Sequence, residues 1–314
     1  MAEISINKSI TTKIRSRLKA DFARNKYIYL MAVPVLLFYF IFSYGPMYGL
    51  IIAFKNYNPH NGFWGSPWVG FKWFNEFFQS FYFTRIIKNT FLISIYDILW
   101  SFPAPIILAL MLNEVKKRSF KKTVQTLTYL PYFISLVVVC GILIDFTGSK
   151  GVINSVLSSF GFEPRNLLGD ASLFRTIYIG SGIWQSAGWG SIIFLAALSG
   201  IDPALYEASI IDGANRWKQL LHVTIPGIMP TIIILLILRL GAIMGVGYEK
   251  IILLYNPMTY STADVISTYV YRKGILEASY SFSTAIGLFN SVINFVFLIV
   301  ANKISSKLTD TSLW

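Results

Sequence analysis

The sequence predicts an all-α membrane protein with six transmembrane helices. Of its 314 residues, 54% are hydrophobic and only 13% are charged, and the mean hydropathy is +0.57. Soluble domains usually carry about 25% charged residues. The apolar residues are collected into six runs, each near the roughly 20 residues that a helix needs to cross a bilayer. This pattern favours a polytopic membrane protein over a large soluble core.

The apolar runs follow one another along most of the chain. They lie at about residues 28–54, 91–112, 127–144, 177–198, 228–246 and 285–304. Together they define one six-span domain, residues 28–304. A basic tail at residues 1–27 precedes this domain, and a short tail at residues 305–314 follows it.

The distribution of basic residues predicts the orientation of the spans. Lysine and arginine are dense in the N-terminal tail and at residues 116–122, and they recur between spans four and five and after span six. Cytoplasmic loops of membrane proteins are enriched in these residues. Both termini and the loop between spans four and five are therefore predicted to be cytoplasmic, in a multi-pass protein of the cell membrane. The net charge of +12 requires no nucleic-acid partner, because the basic residues lie beside apolar spans.

Residue counts exclude several kinds of site. The single cysteine, Cys140, rules out an internal disulfide framework and a thiolate metal cluster, and its apolar surroundings predict a small packing residue. His60 and His222 are too few for a histidine-based metal site. The chain lacks the Gly-x-x-x-x-Gly-Lys-Ser/Thr phosphate loop. We therefore expect no cofactor site and no metal site in this chain, and no ATP hydrolysis by it.

The loop between spans four and five, at about residues 202–226, is the most informative polar segment. Asp202 and Pro203 predict a helix start, because aspartate caps free backbone N–H groups and proline suits the first helical position. Gly213 is predicted to end this helix, since glycine tolerates the left-handed conformation of a tight turn.

A second short helix is expected from Ala214 to about His222, and Pro226 is expected to mark the entry into span five. Two short helices joined by a sharp turn would form a compact protrusion with Glu207 and Asp212 exposed. An ordinary amphipathic connector at the membrane surface is the plainer alternative. Such a connector would not need a fixed glycine turn with acidic residues on both sides.

The order of residues in this loop resembles the EAA motif of ABC importer permeases. That motif is Glu-Ala-Ala, three residues, Gly, nine residues, and Ile-x-Leu-Pro. The positions that carry it here, with their neighbours in the turn, are Glu207, Ala208, Ser209, Asp212, Gly213, Ala214, Val223, Ile225 and Pro226. The spacing is intact, and the departures from the family pattern are conservative.

Other segments extend the resemblance to nearly the whole chain after residue 30. The segments 69–74 and 130–132, together with Trp184, resemble segments of carbohydrate permeases of the maltose-type family. The stretch 255–282 is similar to the LplB-type subgroup, which is associated with complex oligosaccharides. The resemblance implies a type I ABC importer permease fold with six transmembrane helices and cytoplasmic coupling helices.

The resemblance also implies partners. In this family the EAA protrusion docks into a cleft on a separate ABC ATPase, which binds ATP and Mg. A second six-span permease to complete a heterodimer, two ATPase subunits, an extracellular solute-binding protein and an oligosaccharide substrate are implied, besides the membrane lipid. The acidic position Glu207 would suit a basic partner surface.

Candidates for the substrate pathway come from the position of the pathway in the family, on spans three to five, and from polar or aromatic character inside spans. They are Tyr132, Trp184, Trp189 and Tyr248, with Ser135, Gln185, Asn290 and Asn294 added on their chemistry. Helix–helix packing or interhelical hydrogen bonding is the structural alternative for each of them.

Arg239 is a further candidate, because it lies inside span five between Leu238 and Leu240. A charge within a span is costly and is a functional hypothesis by default. One hypothesis is that Arg239 attracts an anionic sugar such as a uronate. The interpretation that we favour from the sequence is an internal ion pair with an acidic residue, for which Asp97, Asp145 and Glu249 are the candidates.

Two other functions compete with the permease. A stand-alone secondary transporter driven by an ion gradient would leave the coupling protrusion unexplained and would be expected to show an internal repeat. An intramembrane enzyme would need convergent catalytic groups within spans. The sequence shows neither an internal repeat nor such groups.

Overall fold

A computed structural model describes residue 21, residues 24–308 and residues 312–313. Across these residues every regular element is a helix, apart from an isolated bridge between Lys55 and Trp68. Most of the two predicted tails lies outside the described residues, and the parts that are described mainly extend the first and last helices.

Ten helices organise the part of the chain that the structure describes. They are α1 (Arg24–Phe54), α2 (Phe83–Glu114), α3 (Arg118–Tyr129), α4 (Leu136–Thr147), α5 (Phe174–Ser199), α6 (Pro203–Ile211), α7 (Arg216–Leu240), α8 (Tyr248–Leu254), α9 (Ile266–Tyr271) and α10 (Tyr280–Leu308). Short helices at Gly62–Gly65, Lys72–Gln79, Val152–Ser159 and Tyr260–Ala263 lie between them.

Six helical segments are long and apolar enough to cross a membrane. Five are the segments Arg24–Phe54, Phe83–Glu114, Leu136–Ser159, Arg216–Leu240 and Tyr280–Lys307, of which Leu136–Ser159 joins α4 to the short helix Val152–Ser159. The sixth is α5 taken together with α6, a pair that is bent by 69° at the break between them. The predicted all-α, six-span fold is thus confirmed, and three of the spans, those containing α2, α5 and α10, extend beyond their apolar runs at both ends.

The third span was placed wrongly. The sequence predicts a helix over residues 127–144, whereas α3 ends at Tyr129, a 3-10 turn continues to Phe133, and α4 begins at Leu136. The backbone is extended at Ile134 and Ser135, with ψ of 133° and 145°. The Ser135 hydroxyl caps the new helix by accepting the N–H of Val138 at 3.4 Å. Apolar composition alone does not reveal such a break.

The fifth span also differs from its prediction. The second short helix expected at residues 214–222 is not separate, because α7 runs from Arg216 to Leu240 with a π-turn at Leu220–Thr224. Pro226 therefore lies within α7 instead of at its start. At the other end the helix stops at Leu240, six residues before the predicted boundary, and turns lead into α8.

Close packing of α5 against its neighbours holds the middle of the bundle together. A Cβ added at Gly188 would overlap the backbone carbonyl of Thr128 in α3, and one at Gly190 would lie 3.1 Å from Pro105 in α2.

Cys140 is buried in the apolar cluster that joins α2, α4, α5 and α8, which agrees with its predicted packing role.

We predict that Gly188→Ala destabilises the protein, because overpacking against fixed backbone costs about 1–3 kcal/mol. Gly180→Ala is the matched control in the same helix, since a Cβ there meets nothing within 4 Å. The measurement is thermal unfolding of the purified protein in detergent. Equal midpoints for the two variants would contradict the close approach of α5 and α3.

Candidate coupling protrusion and translocation grooves

The helix α6 begins as the sequence predicts. The Asp202 carboxylate accepts the backbone N–H of Ala204 at 2.9 Å, and Pro203 occupies the first helical position, where its missing N–H costs nothing. The chain bends away from α5 at this point. The segment from Asp202 is therefore a separate helix with its own cap, at an angle to α5.

The end of α6 is a glycine turn. Gly213 has a φ of +74°, and its N–H donates to the Ile210 carbonyl at 3.0 Å. The N–H of Ala214 donates to the Ser209 carbonyl at 2.9 Å. These two bonds form a Schellman motif, which satisfies carbonyls that the helix end would leave free. The motif positions Ser209, Gly213 and Ala214 thus serve the turn through their backbone.

The surface of this protrusion combines acidic and apolar side chains. Glu207, Ala208 and Asp212 are exposed. Ile211 is 87% exposed and Trp217 is 73% exposed. Exposed apolar side chains clustered on a projection are typical of a protein interaction site.

A cavity of about 310 Å³ lies between α2, α5, the end of α7 and the turns that follow α7. Its charged lining residues are Asp97 and Arg239, which form an ion pair in which Arg239 Nε donates to Asp97 at 2.7 Å. The structure thus selects Asp97 among the three acidic partners considered for Arg239. The pair is partly accessible, since half of the Arg239 side chain is exposed.

An aromatic groove of about 430 Å³ adjoins this cavity and shares Arg239 with it. Tyr132 and Trp189 line the groove with stacked rings, whose centroids are 4.9 Å apart with an angle of 7° between their planes. The structure therefore brings together three of the predicted pathway residues, which are 50 to 107 positions apart in the sequence. Flat aromatic faces beside a cation can contact the face and the polar rim of a sugar ring.

Two further candidates, Tyr248 and Asn290, line a separate groove of about 370 Å³ between α8, α9 and α10. Tyr248 stacks on Tyr271 with ring centroids 5.9 Å apart. The Oδ1 atom of Asn290 is buried and has no hydrogen-bond partner among the described residues.

The remaining candidates have structural contacts. Asn294 Oδ1 accepts the backbone N–H of Met244 at 2.8 Å, where the chain leaves α7. Gln185 donates to the Ile134 carbonyl at 3.4 Å, at the break before α4, and Ser135 caps α4. Trp184 is half exposed and does not line any of the three cavities above.

Sequence reasoning missed Tyr178 and Lys250, which lie beside the Asp97 cavity. Tyr178 lines it, and the buried Lys250 amine donates to the Tyr178 carbonyl at 3.1 Å and lies 5.0 Å from the centre of the Tyr178 ring. A lysine four residues after the fifth apolar run was the available signal, but its burial depends on how α8 folds back against α5.

Sequence reasoning also missed a buried charge network at one end of the bundle. The network connects α2, the start of α5 and the residues that flank α9. Asp264 is fully buried and accepts hydrogen bonds from Arg85 at 3.1 Å and Arg272 at 2.8 Å. Burial opposes the charge of Arg272, but the hydrogen bond and charge of Asp264 outweigh it and raise the pKa of the guanidinium. Arg175 is tied to the same region by donating to Asn89 at 2.7 Å.

Six membrane-length helical segments, grooves between them and an exposed helix–turn element are features expected of a membrane transport subunit. Comparisons with known proteins identify the family within this class. Residues 101–310 match the family model described as binding-protein-dependent transport system inner membrane component. This chain belongs to that family and is a multi-pass permease subunit of an ABC transporter.

Individual relatives match nearly full length. Protein LplB of Bacillus subtilis is 45% identical over 94% of this chain and 93% of the relative, and the polygalacturonan/rhamnogalacturonan transport system permease protein YteP of the same organism is 40% identical over 96% and 94%. A solved chain from a bacterial ABC transporter involved in the import of the acidic polysaccharide alginate is 47% identical with a TM-score of 0.86. It covers 93% of this chain and 99% of its own length.

We predict that Gly213→Val abolishes substrate uptake by the assembled transporter while membrane insertion stays intact. A β-branched side chain is strained at positive φ, so the Schellman turn and the orientation of α6 would be lost. Gly213→Asn is the matched control, because asparagine tolerates the left-handed conformation. Uptake into proteoliposomes is the measurement, and normal uptake by the valine variant would refute the role of the turn.

Proposed function

We propose that this chain is the permease subunit of an ATP-driven importer of oligosaccharides, and that acidic, uronate-containing oligosaccharides are among its substrates. The observation that carries the proposal is the grouping of Tyr132, Trp189, Arg239 and Asp97 in adjoining grooves inside the bundle. Aromatic faces and a small number of placed polar groups are typical of ligand sites.

The proposed partners follow from the family and from the shape of α6. The protrusion around Glu207, Gly213 and Trp217 faces the cytoplasm in this proposal and docks on one of two ABC ATPase subunits, which bind ATP and Mg. Its exposed apolar and acidic side chains support such a contact. A second six-span permease completes the pathway as a heterodimer, and an extracellular solute-binding protein delivers the oligosaccharide.

Two relatives support an acidic substrate by their own described cargo, which is alginate in one case and polygalacturonan or rhamnogalacturonan in the other. In this chain the accessible Arg239 guanidinium provides the matching chemistry. Asp97 holds Arg239 in place and neutralises it when no substrate is bound. A substrate carboxylate would approach the exposed side of the same guanidinium, which has five N–H donors and can serve two acceptors.

The alternative function, a secondary transporter driven by an ion gradient, differs in its energy source. Uptake by the complete complex in proteoliposomes is expected to require ATP and to persist when ion gradients are collapsed. Uptake by this chain alone, without an ATPase subunit, would overturn the proposal. A panel of neutral and acidic oligosaccharides offered to the purified solute-binding protein would identify the substrate class.

We predict that Arg239→Gln lowers uptake of a uronate oligosaccharide by about tenfold relative to a neutral oligosaccharide of the same length, because one charge-assisted hydrogen bond contributes about 1.5–3 kcal/mol. The single variant leaves Asp97 unpaired. The double variant Arg239→Gln/Asp97→Asn removes both charges and is the matched control.

Under the proposal the double variant transports the neutral sugar normally and still discriminates against the uronate. If Arg239 serves only to pair with Asp97, the double variant recovers both substrates equally. Equal loss of both substrates in the single variant, followed by that recovery, would reject the contact with the uronate.

A further inference from the structure

Two contacts connect α6 and its junction with α5 to residues 219–227 of α7, which we call the foot of α7. We infer that motion of α6 is delivered to α7 through a hydrogen bond between the hydroxyl groups of Tyr206 and Thr224, and that Tyr206 is a positioning residue for coupling. The inference rests on the proposed role of α6 as the element that contacts the ATPase.

The covalent route from α6 into the bundle is poorly suited to transmit force. The helix α5 ends at Ser199, and the chain bends by 69° before α6 starts at Pro203. A bent junction of a few residues without a continuous helical hydrogen-bond ladder can act as a hinge. A push on α6 would then rotate it about this junction unless another contact carries the load.

The Tyr206–Thr224 contact is such a connection. The two hydroxyl oxygens are 3.0 Å apart, and Thr224 is only 4% exposed. The Thr224 hydroxyl also donates to the Gln219 carbonyl at 3.3 Å. Because a hydroxyl has only one proton, Tyr206 must be the donor and Thr224 the acceptor in the first bond.

The local structure of α7 fixes the position of Thr224. The residues Leu220–Thr224 form a π-turn, in which the helical ladder is locally shifted. Thr224 reaches back across this turn to Gln219, so its side chain is held at one orientation and presents its oxygen to Tyr206. The π-turn and the contact with α6 thus occur at the same place.

A second contact keeps the junction close to α7. A Cβ added at Gly227 would lie 2.7 Å from the Ile201 side chain, so Ile201 packs directly against the helix backbone there. Ile201 also packs on the apolar cluster that contains Phe194 and Ile228. The pivot at the junction and the hydroxyl contact are therefore separate points on the same foot of α7.

The other end of α7 carries Arg239, which borders both the Asp97 cavity and the aromatic groove. Fifteen residues separate it from Thr224, which corresponds to roughly 22 Å along a helix. Movement of the foot of α7 would thereby reach the groove lining.

The ion pair between Arg216 and Glu114 also connects the start of α7 to the end of α2. It is a weaker connection, because both side chains are exposed and the charged atoms are 3.8 Å apart.

The test compares Tyr206→Phe and Thr224→Val, each of which removes one hydroxyl at nearly constant volume. Thr224→Ser keeps the acceptor and is the conservative rescue. Thr126→Val is the matched control, since the Thr126 hydroxyl bonds only to the Lys122 carbonyl of its own helix in the described contacts. The complete transporter is reconstituted in proteoliposomes, and oligosaccharide uptake and ATP hydrolysis are measured together.

The expected result is that Tyr206→Phe and Thr224→Val still hydrolyse ATP but import about fivefold less sugar per ATP, while Thr224→Ser and Thr126→Val resemble the wild type. The double variant Tyr206→Phe/Thr224→Val should lose no more than either single variant, because both remove the same bond.

An unchanged ratio of uptake to hydrolysis in both single variants would overturn the inference, as would additive losses in the double variant. A parallel loss of hydrolysis and uptake would also overturn it, since a transmission defect separates the two. Absence of ATP-dependent uptake by the wild-type complex would be a different outcome, because it would reject the proposed function itself.

Discussion

Hydrogen bonding of the backbone at helix breaks is the constraint on which this fold depends. A backbone N–H or C=O without a partner is costly away from water, so a helix in a membrane protein can stop only where water or the protein supplies partners. This chain interrupts its helices before α4 and after α7. At each break a side chain accepts one backbone N–H: Ser135 accepts that of Val138, and Asn294 accepts that of Met244.

The grooves occur beside these same breaks. Tyr132 lies in the turn before α4 and borders the aromatic groove, while the turns after α7 line the Asp97 cavity. An unbroken helix would fill this space with packed side chains. The interruptions therefore create both the space and the need for polar partners, which explains why several predicted pathway residues have structural hydrogen bonds.

Charged side chains inside the bundle likewise require partners. A buried carboxylate is tolerated when cations and hydrogen bonds surround it, and Asp264 has two arginines and a threonine as partners. The Arg239–Asp97 pair differs, because half of the Arg239 side chain remains accessible. The first arrangement joins α2 and α9 as a structural unit, and the second leaves a cation available at a groove. The helix α7 connects this cation to the foot where α6 is attached.

The sequence by itself determined the class, the number of spans and the turn at Gly213, because each depends on local composition or on a few adjacent residues. Six apolar runs, an aspartate–proline helix start and a glycine at the turn are sufficient for those predictions, and the family match confirms the class. Only the tertiary structure decided where the third and fifth spans break, since Ile134 and Gly241 lie in apolar segments that favour a continuous helix. It also decided which residues meet. The choice of Asp97 for Arg239, the stacking of Tyr132 on Trp189 and the bond between Tyr206 and Thr224 depend on packing between helices, which no local pattern encodes.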